Sequence, residues 1–288
     1  MSESGHVNMK QLQRWWSISI LVGLFFVLGL WLFFPTQTVE LYLEQQLSQQ
    51  LSKQLQCPVT ISNVDLDLPA ALTIGAIETT VPPAIPIRLT NLCVTPAWLQ
   101  TFTGTPTVSL NANTLGGTIS VQLTSSRHIQ FAAAALQLNT ALPQMPALHI
   151  KTTIECCNAS GFAEPINKLE QFDLHLSELQ LIGMQQLGLP ADQLNLGSVH
   201  LQLSQNNQRI CIDQMTSTDG DIIIKGNGHI SLQRNLPHSP IDLTLTISPQ
   251  KSLDQSLTTL LPMFAKQQKD GSYTIHIGGT IAMPKLQH

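Results

Sequence analysis

Residues 241–247 read Ile-Asp-Leu-Thr-Leu-Thr-Ile, with apolar and polar side chains in strict alternation. Side chains of a β-strand point alternately to its two faces, so this run predicts a strand with one dry and one wet face. Leu243 and Leu245 are expected on the dry face and Thr244 on the wet one. The same pattern recurs along the chain. Val64, Leu66 and Leu68 alternate with Asp65 and Asp67. Ile119, Val121 and Leu123 alternate with Ser120 and Gln122, and Phe172, Leu174 and Leu176 alternate with Asp173 and His175. Val199, Leu201 and Leu203 alternate with His200 and Gln202, and Tyr273, Ile275 and Ile277 alternate with Thr274 and His276. Turn signals lie at Leu115-Gly116-Gly117, Gln205-Asn206-Asn207, Asp219-Gly220-Asp221 and Gly226-Asn227-Gly228. The stretches TLGGTISVQL and NLGSVHLQL are loosely alike, but no strict repeat period argues for a propeller or solenoid. The expected fold is mainly β: a large, curled, antiparallel-rich sheet, as a gutter or a sandwich, over residues 58–288.

Upstream of this body the character changes. Residues 15–34 read WWSISILVGLFFVLGLWLFF without a charge. Twenty helical residues rise about 30 Å, the thickness of a bilayer's hydrocarbon core. A cleaved signal peptide would have a shorter apolar region ending in small residues, and this run ends in Trp-Leu-Phe-Phe-Pro, so an uncleaved transmembrane helix is expected. Lys10 and Arg14 precede it, and no Lys or Arg follows until Lys53. The positive-inside rule then makes residues 1–14 a cytoplasmic tail and places the bulk on the other side of the membrane. Trp15, Trp16 and Trp31 suit the two interfaces.

Two further helices are expected. Within 35–57, Val39, Leu43, Leu47, Leu51 and Leu55 recur every four residues, which stacks them on one helical face. This amphipathic linker either packs on its own domain or serves as a stalk or partner helix. Cys57-Pro58 ends it. Leu253, Leu257, Leu260, Leu261 and Phe264 fall at helical spacing as well, and a shorter helical turn is expected around Pro96, Trp98 and Leu99. About twelve strands of about 17 Å, spaced about 4.8 Å apart, present a dry face of roughly 1,000 Å². The two helices cover on the order of 450 Å² of it. The remainder must be closed by the sheet curling on itself, or meet lipid or a protein.

Charged residues make up 11% of the 288, against the ~25% usual in soluble domains, and the net charge is -4. No basic stripe exists to neutralise phosphates, which argues against nucleic acid as a partner. The five cysteines, Cys57, Cys93, Cys156, Cys157 and Cys211, form no C-x-x-C, and their redox state is open between disulfides and inert buried thiols. The nine histidines show no H-E-x-x-H and no paired ligand spacing, and His175, His200 and His276 occupy ordinary wet-face positions. Asp65 and Asp67 share a face without a partner base. No G-x-S-x-G, GxGxxG or phosphate-cradling loop occurs. The reading is a binding or assembly protein, not an enzyme, with no catalytic, cofactor or metal residues assigned.

The C-terminal third carries a family resemblance. Asp270-Gly271-Ser272-Tyr273, followed by Gly279-Thr280-Ile281-Ala282-Met283-Pro284, resembles the closing signature of the type II secretion system protein N family. Gly226-Asn227-Gly228-His229-Ile230-Ser231-Leu232 and Pro237-His238-Ser239-Pro240-Ile241-Asp242-Leu243 are similar to its preceding stretch, and Cys57-Pro58-Val59 with VDLDLP to its anchor-proximal segment. The match is weak around Cys156 and Cys157, and the G-T-x-W element of the enterobacterial branch is not found. The resemblance implies an accessory component of a machine that exports folded proteins, anchored in a bacterial inner membrane with its bulk in the periplasm and with other secretion-system proteins as partners. It also implies a body similar to AsmA-like envelope proteins, whose gutter-shaped sheets are associated with lipid, so phospholipid binding or movement is the alternative function.

The anchor reading is testable. Leu24→Arg places a charge near the bilayer centre, costing about 2.5–3.5 kcal/mol on insertion scales. Membrane fractionation of the variant should show reduced insertion, and an unchanged membrane share would refute a spanning helix.

Overall fold

The computed structural model describes residues 36–55, 57–67, 71–81, 85–97, 104–142, 145–162, 168–187, 191–233 and 235–287. The expected transmembrane segment 15–34 and the helical turn at Trp98 and Leu99 lie outside them. Helix α1 (Thr36–Leu55) leads into β1 (Val59–Asp67), β2 (Ala71–Val81), β3 (Ile85–Pro96), β4 (Thr107–Thr114), β5 (Gly117–Thr124), β6 (His128–Leu142) and β7 (Met145–Phe162). β8 (Lys168–Ile182), β9 (Gln193–Asn206), β10 (Arg209–Thr218), β11 (Ile222–Ser231) and β12 (Ile241–Pro249) follow. Helix α2 (Gln255–Phe264) then precedes β13 (Lys266–Gln267), β14 (Tyr273–Gly279) and β15 (Pro284–Gln287). Among the described residues no helix is long and apolar enough to cross a membrane.

The strands form one antiparallel sheet of 15 strands, not a sandwich of two. Each strand from β1 to β12 pairs with the next in the chain; β14 follows β12, and β13 and β15 both pair with β14. Substantial strand contacts are almost confined to sheet neighbours. The order follows from the turns. At Leu115-Gly116 both φ angles are positive, 49° and 80°, the conformation of a tight two-residue hairpin. Asn207 (φ 56°) and Asp219 (φ 61°) serve the two hairpins that flank β10.

Gly226-Asn227-Gly228 is not the turn that its composition suggests. It lies inside β11, paired to Leu245, Thr244 and Leu243 of β12. The glycines there answer crowding. A Cβ on Gly226 would stand 2.8 Å from Met215 Sδ and 2.9 Å from Leu245 Cδ2. One on Gly228 (φ 148°) would stand 2.2 Å from the Asp242 carbonyl oxygen.

Directly paired residues share a face, so the register reveals how far the dry side extends. Leu66, Leu72, Val94, Leu110, Val121, Phe131 and Ala159 follow one another partner to partner. The row continues through Phe172, Leu203, Ile212, Gly228, Leu243, Ile277 and Leu286. A parallel row runs Ala112, Ile119, Ala133, Cys157, Leu174, Leu201, Met215, Gly226, Leu245 and Ile275. Thr244, between Leu243 and Leu245, bonds instead to His276 Nδ1 on the polar face (3.1 Å). The period-two reading of this strand therefore holds.

The two helices sit at the two ends of the sheet. Leu43, Leu47 and Leu51 of α1 pack on a core that includes Val59, Ile61, Val64, Ile74 and Leu92. The linker thus packs on its own domain. Its polar side meets the free edge of β1: Ser48 Oγ donates to the Val59 carbonyl (2.6 Å), Val59 N–H donates to Ser52 Oγ (3.0 Å), and Leu66 N–H donates to Glu40 Oε1 (3.3 Å). These bonds occupy groups that an edge strand would otherwise offer to another chain. At the far end α2 starts at Asp254, whose side chain accepts from Ser256 N–H (2.8 Å). Hydrogen bonds from the Ser256 side chain and backbone hold the Asp254 carboxyl below the usual carboxylate range. Leu257 and Leu261 pack on a second core of Ile222, Ile247, Leu253, Ala265 and Tyr273.

Ser52→Ala removes the acceptor for Val59 N–H and should cost about 1 kcal/mol, the net worth of one such bond. Denaturant unfolding should show that loss. No change in stability would mean that α1 does not secure the β1 edge.

Candidate functional site

Two places on the sheet are candidates, one on each face. Among the described residues, neither α1 nor α2 covers the dry face between the two end cores. Val108 and Leu123, directly paired on β4 and β5, remain 39% and 45% exposed. Ile129 continues their row on β6. Beside it lies a cavity of about 370 Å³ whose walls include Ile129, Phe131, Phe162, Leu169, Ile210 and Leu236. That volume lies within the range of small-molecule sites, and its apolar walls suit a hydrocarbon chain. Under it, Ala133, Leu136 and Cys157 are buried with Phe131, Ile154, Phe172 and Leu174 packed around them. Among the described residues that line it, Lys168 is the one with a titratable side chain.

The wet face carries polar chemistry at β8 and β9. Asp173 and His175 are two apart on β8 and so share a face, and His200 on β9 is the direct partner of His175. His200 Nε2 lies 2.8 Å from Asp173 Oδ1, and His175 Nε2 lies 3.4 Å from the same oxygen. The imidazole rings stack with centroids 3.9 Å apart and planes inclined by 25°. All three side chains are half-buried. Asp173 also borders a polar hollow of about 320 Å³ lined by Ser120, Gln122, Gln130, Asn158 and Gln171 among others. Neither histidine stands in a recognisable motif, and spacing along the chain does not join them. The one signal is Asp-x-His on a strand followed by His on the next, which becomes a cluster only when the register places His200 opposite His175.

Other residues considered from the sequence stay apart. Asp65 and Asp67 lie on β1, opposite Thr73 and Ala71. His276 is bonded to Thr244. The five cysteines are all free thiols. Cys156 and Cys157 face opposite sides. A register shift between Ile154 and Cys156 inserts Glu155, so Cys156 pairs with His175 on the wet face and Cys157 with Leu174 on the dry face.

Compared with known proteins, the chain matches no family model, no curated protein and no solved structure.

The thiols should differ in reactivity. Burial, then the neighbouring Cys156 and Asp173, push the Cys157 thiol above its usual range, and thiolate is the reactive form. Cys57 is buried too, against Thr79 Oγ1 (3.2 Å). In the folded chain, iodoacetamide should modify the half-exposed Cys93, Cys156 and Cys211 before Cys57 and Cys157, read by peptide mass spectrometry. Early labelling of Cys157 would contradict the register at Glu155.

Proposed function

We propose that this chain is an inner-membrane-anchored accessory component of a type II protein secretion system, acting by binding and assembly rather than catalysis. The observation that carries the binding part is the apolar row that crosses fourteen strands from Leu66 to Leu286, of which, among the described residues, α1 and α2 cover only the ends. On that face Val108 and Leu123 stay exposed, and adjacent apolar side chains left in water are costly unless something covers them. The secretion part rests on the resemblance of the C-terminal residues. In the structure those residues close the sheet: Asp270 accepts from Ser272 N–H (3.0 Å), Ile281 N–H donates to the Ser239 carbonyl (3.1 Å), and Ala282 N–H to the Pro237 carbonyl (3.0 Å). Their role here is to hold the fold, so the signature supports a shared architecture and names no site.

A second reading, an AsmA-like envelope protein that binds or moves lipid, is favoured by the cavity beside Phe131 and Phe162. The two readings give different results in the same strains. Deletion should reduce export of secreted enzymes, and crosslinking should trap other components of the machine. Normal export with no copurifying secretion protein would sink the secretion reading. Phospholipid retained by the detergent-extracted chain in native mass spectrometry would support the lipid reading, and a lipid-free chain would count against it.

Leu123→Asp and Gln122→Asp provide the local test on β5. Both sites are exposed, so each should change stability by no more than roughly half a kcal/mol. Only Leu123→Asp places a charge on the dry face, and it alone should abolish binding of the partner or lipid. Equal binding by the two variants would show that the dry face is not the binding surface.

A further inference from the structure

We propose that Asp173, His175 and His200 form a binding site for a divalent first-row transition-metal ion, with zinc the best-suited ion. Imidazole nitrogen and carboxylate oxygen are its ordinary protein ligands. The three donor atoms already converge, all within 4.8 Å of one another. Zn–N bonds of about 2.0–2.1 Å and Zn–O bonds of about 2.0–2.2 Å put neighbouring donors about 3.3–3.5 Å apart at tetrahedral angles, and about 2.9–3.0 Å apart at right angles. The observed separations from Asp173 Oδ1, 3.4 Å to His175 and 2.8 Å to His200, lie close to these values. Ligation needs the two stacked rings, whose centroids are 3.9 Å apart, to swing away from each other by side-chain rotation so that both Nε2 atoms point at one ion.

The scaffold and the chemistry both suit an ion. The donors come from two adjacent, directly hydrogen-bonded strands, which hold a site more closely than loops do. Neutral imidazole carries its single proton on either nitrogen, so moving it to Nδ1 frees the Nε2 lone pair that now faces the carboxylate. The polar hollow at Asp173 provides an aqueous path to the site and room for the water that completes a three-ligand centre. Ligand identity, donor proximity and an entry path are among the properties that a metal site must satisfy, and this cluster has these three.

The test uses the full chain in detergent, without a polyhistidine tag and freed of metal by chelation. Zinc chloride is titrated by calorimetry, and cobalt chloride by visible absorption. One ion per chain should bind. His200→Gln, His175→Gln and Asp173→Asn should each weaken binding at least tenfold, whereas His276→Gln, on the same face but outside the cluster, should leave it unchanged. Zinc should also raise the unfolding midpoint of the native chain but not that of His200→Gln, since a ligand stabilises only a state that binds it. Circular dichroism of each metal-free variant checks its fold, and with three cluster variants the loss of any one to misfolding leaves two to decide. Absence of stoichiometric zinc binding in the native chain would overturn the proposal. So would binding that folded cluster variants retain at native strength.

Discussion

In an antiparallel ladder the residues paired across two strands project to the same face, about 4.5–5.5 Å apart at Cα. Every other feature of this molecule depends on that pairing being kept from one strand to the next. A slip by one residue anywhere would turn the side chains of the strands beyond it to the opposite face. The row from Leu66 to Leu286 survives thirteen successive pairings, although several strands carry bulges. The bulges are part of the mechanism. At Glu155 the extra residue restores the phase that Ile154, Cys156 and Cys157 would otherwise lose, and the dry face stays apolar on both sides of it.

A single sheet of this width has two problems, its edges and its uncovered face. The edge at β1 is managed by α1, which uses one helix for two tasks. Its leucines extend the core under β1, and its Ser48, Ser52 and Glu40 bond to the outward-facing backbone of that strand. The far end is managed by α2 and the short strands β13 and β15, which extend the sheet past β12. Among the described residues, neither helix covers the middle. There the exposed pair Val108 and Leu123 and the cavity near Phe162 lie on the apolar side, while amide and hydroxyl side chains with the Asp173 cluster occupy the polar side. The two faces of the central strands thus offer opposite chemistries about one strand's thickness apart.

Much of the fold was legible in the residues themselves. Period-two alternation determined which of Leu243, Thr244 and Leu245 face the core, and the four-residue leucine spacing of 39–55 and 253–264 determined two helices, because both patterns depend only on local backbone geometry. The wet and dry faces, the hairpin at Leu115-Gly116 and a dry face larger than its helical cover followed from the sequence for the same reason. What local pattern could not supply is which strand lies beside which, and in what register. Gly226-Asn227-Gly228 has the composition of a turn, yet Met215 and Leu245 on the flanking strands require small residues there, and that crowding exists only in the assembled sheet. His175 and His200 are separated by twenty-four other residues, and each by itself is an ordinary polar position on a strand. Only the pairing of β8 with β9 brings their rings together over one carboxylate, since cross-strand neighbours are set by the hydrogen-bonded ladder and not by distance along the chain.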